Sequence, residues 1–206
     1  MISDKHKCIF VHIPKVAGTS IESLIWPGQR DVPELWMGFI DKFHNKYQTG
    51  GLQHLLASQI KLEVGRECFD SYFKFSFVRN PWDKVISQYR YMSNRVDLRE
   101  FIGMSSACSL TEYLHLIIKK EHVQWMPQHQ FILDHNGECL VDFVGHFESF
   151  NLDADIVLRK LDLQKEIPHL NSSNRIEYQS YYDAETIGMV ADMYKTDIKL
   201  FNYSYG

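Results

Sequence analysis

Lys7–Ser20 reads KCIFVHIPKVAGTS, and Lys74–Tyr89 reads KFSFVRNPWDKVISQY. The two stretches share one plan. Each is an apolar run, then a tight turn carrying a fixed cation (Lys15, Arg79), then a helix opening. Ile9–Ile13 is almost wholly apolar, as a strand buried on both faces must be, and Phe73–Val78 is a second such run. Pro14 ends the first. Thr19 or Ser20 caps a helix over Glu22–Trp26 that Pro27-Gly28 stops, while Asn80 and Pro81 open another whose apolar stripe is Trp82, Val85, Ile86 and Tyr89.

The remaining chain supplies further helices and strands. Leu52–Val64 has helical spacing, with a strand expected near Leu35–Phe39 in the irregular stretch before it. Leu110–Lys119 reads as a helix. Phe131–Phe147 reads as a hairpin, FILD and CLVDFVGHF joined by HNG. Asn151 or Asp153 caps a helix through Leu161, and Pro168–Asn174 is a polar loop. Asp183 opens a final helix with the stripe Ile187, Val190, Tyr194, Ile198 and Phe201. Strands separated by helices predict an α/β fold with a mostly parallel central sheet flanked by helices. Ligands of such sheets sit at the carboxyl ends of the strands, so both cationic turns belong on one edge.

A chain of 206 residues is read as one domain over 1–206. It is 45% hydrophobic and 14% aromatic, the composition of a globular protein. No stretch approaches the ~20 apolar residues of a membrane span. The N-terminus enters strand-like sequence at once, which leads to a soluble, cytoplasmic expectation. The cysteines, Cys8, Cys68, Cys108 and Cys139, have no metal-ligand spacing and read as reduced, mostly buried thiols. A net charge of −4 lacks the concentrated basic face of a nucleic-acid binder.

Pro14–Ser20 places small residues and hydroxyls where a strand meets a helix N-terminus. Small residues let backbone N–H groups approach an anion, and the helix dipole favours it. The order of residues is not that of a Walker A loop, which needs lysine immediately before the hydroxyl residue; Thr19 stands there, and Lys15 opens the turn. At the second turn Arg79 can grip a phosphate through two oriented hydrogen bonds, with Ser87 nearly two turns along the following helix. The alternative is an arginine ion pair and a surface serine.

Together HIPKVAGTS and FVRNPWDKVISQY resemble the two nucleotide-binding elements of the PAPS-dependent sulfotransferases, particularly the carbohydrate sulfotransferase branch. VDFVGHFESF, IPHLNSSNR and the YYDAET helix ending in FNYSY are similar too, so the likeness covers most of the chain. It implies a P-loop-like three-layer fold and a donor, 3′-phosphoadenosine 5′-phosphosulfate (PAPS), released as PAP. By that resemblance Lys15, Val16, Ala17, Gly18, Thr19 and Ser20 bind the 5′ phosphosulfate, and Arg79 and Ser87 the 3′ phosphate. Asn171, Ser173 and Arg175 belong to a segment similar to the one that closes over the nucleotide. Many relatives carry threonine and glycine where this chain has Val16 and Ala17, so Ala17 is expected in an ordinary backbone conformation.

Such a transfer needs an in-line acceptor hydroxyl, a base and stabilisation of the leaving phosphate. Cations and N–H dipoles can supply the last without a metal. Lys15 is the residue expected at the bridging oxygen. His54 is the leading base, since histidine titrates near neutrality and glycan-modifying relatives carry one in a similar interval. His129, His169, Glu22 and Glu63 are alternatives, and His12, inside a strand, reads as structural. Trp82 is a candidate to stack on adenine, though its helical spacing suits the core. The acceptor expected is a hydroxyl on a carbohydrate, either a glycan or a glycosylated small molecule. Two readings compete: a divergent P-loop nucleotide kinase, and a PAP- or nucleotide-binding protein without turnover.

Overall fold

The computed structural model of the chain describes residues 1–28, 54–165, 167 and 177–206. A four-stranded sheet organises them: β1 (Ile2–Ser3), β2 (Cys8–Val11), β3 (Phe73–Val78) and β4 (Phe143–His146), in the order β1-β2-β3-β4. β2, β3 and β4 run parallel, with Val11 beside Ser76 and Val78 beside His146; β1 pairs antiparallel at one edge. The apolar runs explain the parallel arrangement. Every residue of β2, and all but the first of β3, is buried, which requires cover on both faces. Phe10 and Phe75 stack across the two strands with centroids 5.1 Å apart, and the Ser76 hydroxyl donates to the Val11 carbonyl at 2.7 Å.

Ten helices surround the sheet among the described residues. α1 is Gly18–Ile25, α2 Ala57–Val64, α3 Arg66–Ser71, α4 Pro81–Ser93 and α5 Val96–Ile102. α6 is Leu110–Ile118, α7 His129–Ile132, α8 Phe150–Lys160, α9 Ala184–Met193 and α10 Lys195–Leu200. Two caps are those the sequence announces; at the other two the helix starts earlier, α1 after Ala17 with Thr19 and Ser20 already in its first turn, and α8 after Ser149 with Asn151 and Asp153 inside it. Asn80 accepts from the Trp82 N–H at the start of α4, with Pro81 in the first turn. Asp183 accepts from Thr186 at the start of α9. One core lies around the sheet, and a second forms where α4, α5, α6 and α9 meet. Trp82 belongs to the second, and its indole N–H donates to the Ile187 carbonyl at 3.1 Å.

Several expected elements differ. Phe131–Phe147 is not a hairpin of two strands. Phe131 and Ile132 lie in the single turn of α7, and the antiparallel pairing reduces to one bridge, Leu133 with Cys139. A short apolar run carries no periodicity that separates a helical turn from a strand, and the strand-forming part of CLVDFVGHF pairs with β3 instead. The final helix breaks at Tyr194 into α9 and α10. The break brings Asp197 inward, where it is fully buried. α2 starts at Ala57, so His54 precedes it rather than opening it. The strand expected near Leu35–Phe39 and the 168–174 loop lie outside the described residues. All four cysteines are free, and only Cys8 and Cys108 are buried. No helix among the described residues is long and apolar enough to cross a membrane.

Candidate active site

The turns that follow β2, β3 and β4 share one edge of the sheet, and residues from all three line a cavity of about 520 Å³. From the first turn come Lys15, Ala17, Gly18, Thr19 and Ser20; from the second, Arg79 and Ser87; after β4, Phe147. His12, Glu22, His54, Tyr91 and Gln124 complete most of the wall.

The first turn bends sharply. Lys15 and Ala17 both adopt the left-handed region, at φ 70° and 67°. This corrects the expectation of an ordinary conformation for Ala17. An alanine there costs about 1–2 kcal/mol relative to glycine, because its Cβ crowds the following carbonyl. The glycine of the loop, Gly18, serves a different need. A Cβ on Gly18 would fall 1.7 Å from the His12 ring, so only glycine lets the imidazole pack against the start of α1. Alternating backbone handedness turns successive N–H groups toward one side, and the N-terminus of α1 adds its dipole there. The Val16 side chain points away into the sheet core and does not line the cavity.

Arg79 is held from every side. Gln128 accepts its backbone N–H at 2.9 Å and donates to its carbonyl at 2.8 Å. Gln128 is fixed in turn by Asp197, which takes its backbone N–H at 2.6 Å. The guanidinium lies over the Phe147 ring, 4.1 Å from its centroid. Its Nε donates to Asp83 at 2.8 Å, and its Nη1 donates to the Lys15 carbonyl at 2.9 Å. That last bond ties one cationic turn to the other. Lys15 itself rests its ammonium over Tyr91, 4.2 Å from the ring centroid. Burial, aided by the neighbouring Arg79 charge, pulls the Lys15 amine down to about 8. A bound anion would oppose that lowering by favouring the ammonium form.

His54 is buried beside this pair. Its Nδ1 lies 2.8 Å from the His12 carbonyl. A carbonyl can only accept, so Nδ1 carries the proton and Nε2 keeps its lone pair. Burial lowers the His54 imidazole to about 4, opposed by the His12 hydrogen bond, so the ring is neutral at pH 7 and able to take a proton. His12 stacks 5.1 Å from Phe10 and 4.5 Å from His54, and burial holds it neutral as well. Its Nδ1 lies 3.4 Å from a Glu22 carboxylate oxygen. With the ring neutral this is a close approach and not an ion pair, and the buried Nδ1 makes no hydrogen bond of good geometry.

The other candidates separate. His129 is spent on Asp197, its Nδ1 2.6 Å from the carboxylate, and neither it nor Glu63 lines the cavity. Trp82 is also absent from the wall. His169, Asn171, Ser173 and Arg175 lie outside the described residues. Three wall residues carry no mark in the sequence reading: Tyr91, Gln124 and Phe147. Phe147 directly follows a strand, and the strand-edge rule that singled out Lys15 and Arg79 points to it as well. Gln124 has no local signal at all.

The profile of the sulfotransferase family matches residues 1–204. The chain belongs to that family of transferase enzymes. It is 22% identical over 244 residues to carbohydrate sulfotransferase 10 of Xenopus laevis, covering 98% of this chain and 66% of that protein. It is 25% identical over 183 residues to carbohydrate sulfotransferase 14 of Homo sapiens, covering 77% of this chain and 45% of that protein. An uncharacterized protein of Archaeoglobus fulgidus is 30% identical over 116 residues, 54% of this chain and 85% of that one. The chain thus spans between about half and two thirds of the length of the two named sulfotransferases. No solved structure shows significant similarity to it.

Proposed function

We propose that this chain, acting as one domain, transfers the sulfuryl group of PAPS to a hydroxyl of a carbohydrate and releases PAP. One observation carries the reading: a single cavity gathers two cations from two strand-end turns and a neutral histidine. Its volume lies within the roughly 300–1,000 Å³ usual for small-molecule sites. The first turn, with its left-handed Lys15 and Ala17, Thr19 and Ser20 hydroxyls and helix N-terminus, suits the 5′ end of the nucleotide. Arg79 and Ser87 suit the 3′ phosphate, and Asn171, Ser173 and Arg175 remain proposed contacts from the covering segment.

PAPS supplies an activated sulfuryl group whose departure leaves a phosphate. Within this reading Nε2 of His54 takes the proton of the acceptor hydroxyl as its oxygen bonds to sulfur. The sulfur–oxygen bond to the phosphate breaks, and Lys15 neutralises the charge left on that oxygen. Oriented N–H groups and two cations can meet the whole charge demand, so the mechanism calls on no metal. The carbohydrate acceptor is supported by what the named relatives are called.

The kinase reading places Lys15 at the wrong end of the loop. Thermal-shift binding of PAP against ATP with magnesium separates the two. PAP should stabilise the protein and ATP with magnesium should not; the reverse result ends the sulfotransferase reading. Binding of PAP without turnover of PAPS across hydroxyl acceptors would favour the non-catalytic reading.

A further inference from the structure

We propose that Tyr91 is a positioning residue for the transfer: its ring holds the Lys15 ammonium in the cavity wall, poised for the charge that the leaving phosphate acquires. The inference rests on the sulfuryl-transfer reading above. Tyr91 lies on α4 four residues after Ser87, so the two share one helix face, and both line the cavity with Lys15. The Lys15 ammonium sits 4.2 Å from the Tyr91 ring centroid. The ring is itself braced. Its hydroxyl accepts from Arg95, the Arg95 guanidinium lies 5.4 Å from the same ring centroid, and the ring packs against the second core.

Lys15 needs such a holder. An ammonium is a point charge on a long, flexible stem. The Lys15 peptide is fixed by Arg79, whose Nη1 donates to its carbonyl at 2.9 Å, but that bond leaves the stem free to swing. Burial, and after it the Arg79 charge, disfavour the ammonium form; the negative face of an aromatic ring favours it. Tyr91 thus gives the cation a seat that does not depend on an anion. Backbone and side chain of Lys15 are then both placed, the first by the turn after β3 and the second by α4. The rival roles for an aromatic ring in this wall are stacking on adenine or on a sugar. Position favours Lys15, since the part of the ring that the ammonium covers is closed to both.

The test compares the wild type with Tyr91→Leu, Tyr91→Phe, Lys15→Ala and the double variant of Tyr91→Leu with Lys15→Ala. The first readout is nuclear magnetic resonance of ligand-free protein carrying isotope-labelled lysine. The Lys15 ε-methylene signal, assigned by its loss in Lys15→Ala, should be shifted upfield by the ring current. The shift should persist in Tyr91→Phe and vanish in Tyr91→Leu. The second readout is release of PAP from PAPS, followed with 4-nitrophenyl β-glycosides and with water alone as acceptor, because Lys15 acts on the leaving group whichever oxygen attacks. Tyr91→Leu should slow release about tenfold, as loss of a buried cation–π contact does, with PAP affinity by calorimetry near pH 6.5 within about twofold of the wild type. Tyr91→Phe, which keeps the ring, should recover most of that loss. In the Lys15→Ala background Tyr91→Leu should slow release by less than about twofold, because the ring has no ammonium left to place. Several results overturn the proposal: no upfield shift in the wild type; full release by Tyr91→Leu; a phenylalanine variant as slow as the leucine one; an equal leucine effect without Lys15; PAP affinity lost with the rate, which assigns the ring to adenine; or a PAP-binding wild type that releases no PAP from PAPS. If Tyr91→Leu does not fold, the wild-type shift and the Tyr91→Phe rate decide. Failure of the wild type to bind PAP is a separate outcome: it removes the sulfotransferase reading itself, while the shift still reports whether Tyr91 seats Lys15.

Discussion

Gln128 grips both sides of the Arg79 peptide, accepting from its N–H at 2.9 Å and donating to its carbonyl at 2.8 Å. A side chain here does what a neighbouring strand does for β3, just where that strand has ended. The grip is itself anchored, since buried Asp197 from α10 accepts from the N–H groups of Gln128 and His129. Gln128→Leu removes both bonds and leaves two buried backbone groups unpaired, at about 1–3 kcal/mol each. Denaturant unfolding should show that loss, and calorimetry should show weaker PAP binding because Arg79 is no longer aimed.

The two small residues of the first turn should respond oppositely. Ala17→Gly relieves a left-handed alanine and should stabilise the fold by up to about 1 kcal/mol after the added chain entropy is counted. Gly18→Ala drives a Cβ into the His12 ring and should cost about 1–3 kcal/mol. It should also slow turnover, because the His12 carbonyl fixes the tautomer of His54. Thermal melts and single-turnover assays on the two variants check the pair.

Binding of PAP should be coupled to a proton on Lys15. In the free protein that amine titrates at about 8, lowered by burial and by Arg79. An anion in the cavity favours the ammonium form and raises the value. Below pH 7 Lys15 is already charged, so no uptake through this group occurs. Above pH 8 it must gain a proton on binding, and affinity should fall as pH rises. Calorimetry in buffers of different ionisation enthalpy at pH 8.5 should reveal uptake, and Lys15→Ala should abolish it.

His54 should leave a mark on the acid side. With its imidazole lowered to about 4 by burial, the ring stays neutral and competent well below the usual histidine range. The acid limb of kcat/KM should therefore fall nearer pH 4 than pH 6.5. In kcat the limb should move upward, since bound donor anions favour the imidazolium. His54→Ala should lower kcat by about 10²–10⁴ while PAP binding persists. A variant with full turnover would show that another group is the base.

How far the sequence could be read follows from how local each feature is. Ile9–Ile13 and Phe73–Val78 announce buried parallel strands through composition alone, and Pro14 and Asn80-Pro81 punctuate them. Lys15 and Arg79 were therefore legible, each within four residues of a strand end, and Ser87 through the helix that Asn80-Pro81 opens. Gln128 and Asp197 were not. Their meaning arises from contacts across 49 and 69 residues of sequence, and neither stands in a motif. Phe131 and Ile132 misled because two apolar residues satisfy a strand and a helical turn equally. Tyr194 fits the stripe of one long helix, yet the helix breaks there, and Asp197 beyond the break is buried. At Ala17 the residue type argued for an ordinary conformation, and the turn overrode it.

The bond from Arg79 Nη1 to the Lys15 carbonyl has a consequence for which nucleotides fit. It makes the distance between the two cationic turns a property of the protein, fixed before any ligand arrives. Under the sulfuryl-transfer reading, the cavity then acts as a gauge for the span between the two ends of the donor. An adenosine phosphosulfate without the 3′ phosphate can fill one end, but it cannot draw the other in to compensate. Under that reading, discrimination between the two nucleotides rests on the tie between the Arg79 side chain and the Lys15 carbonyl.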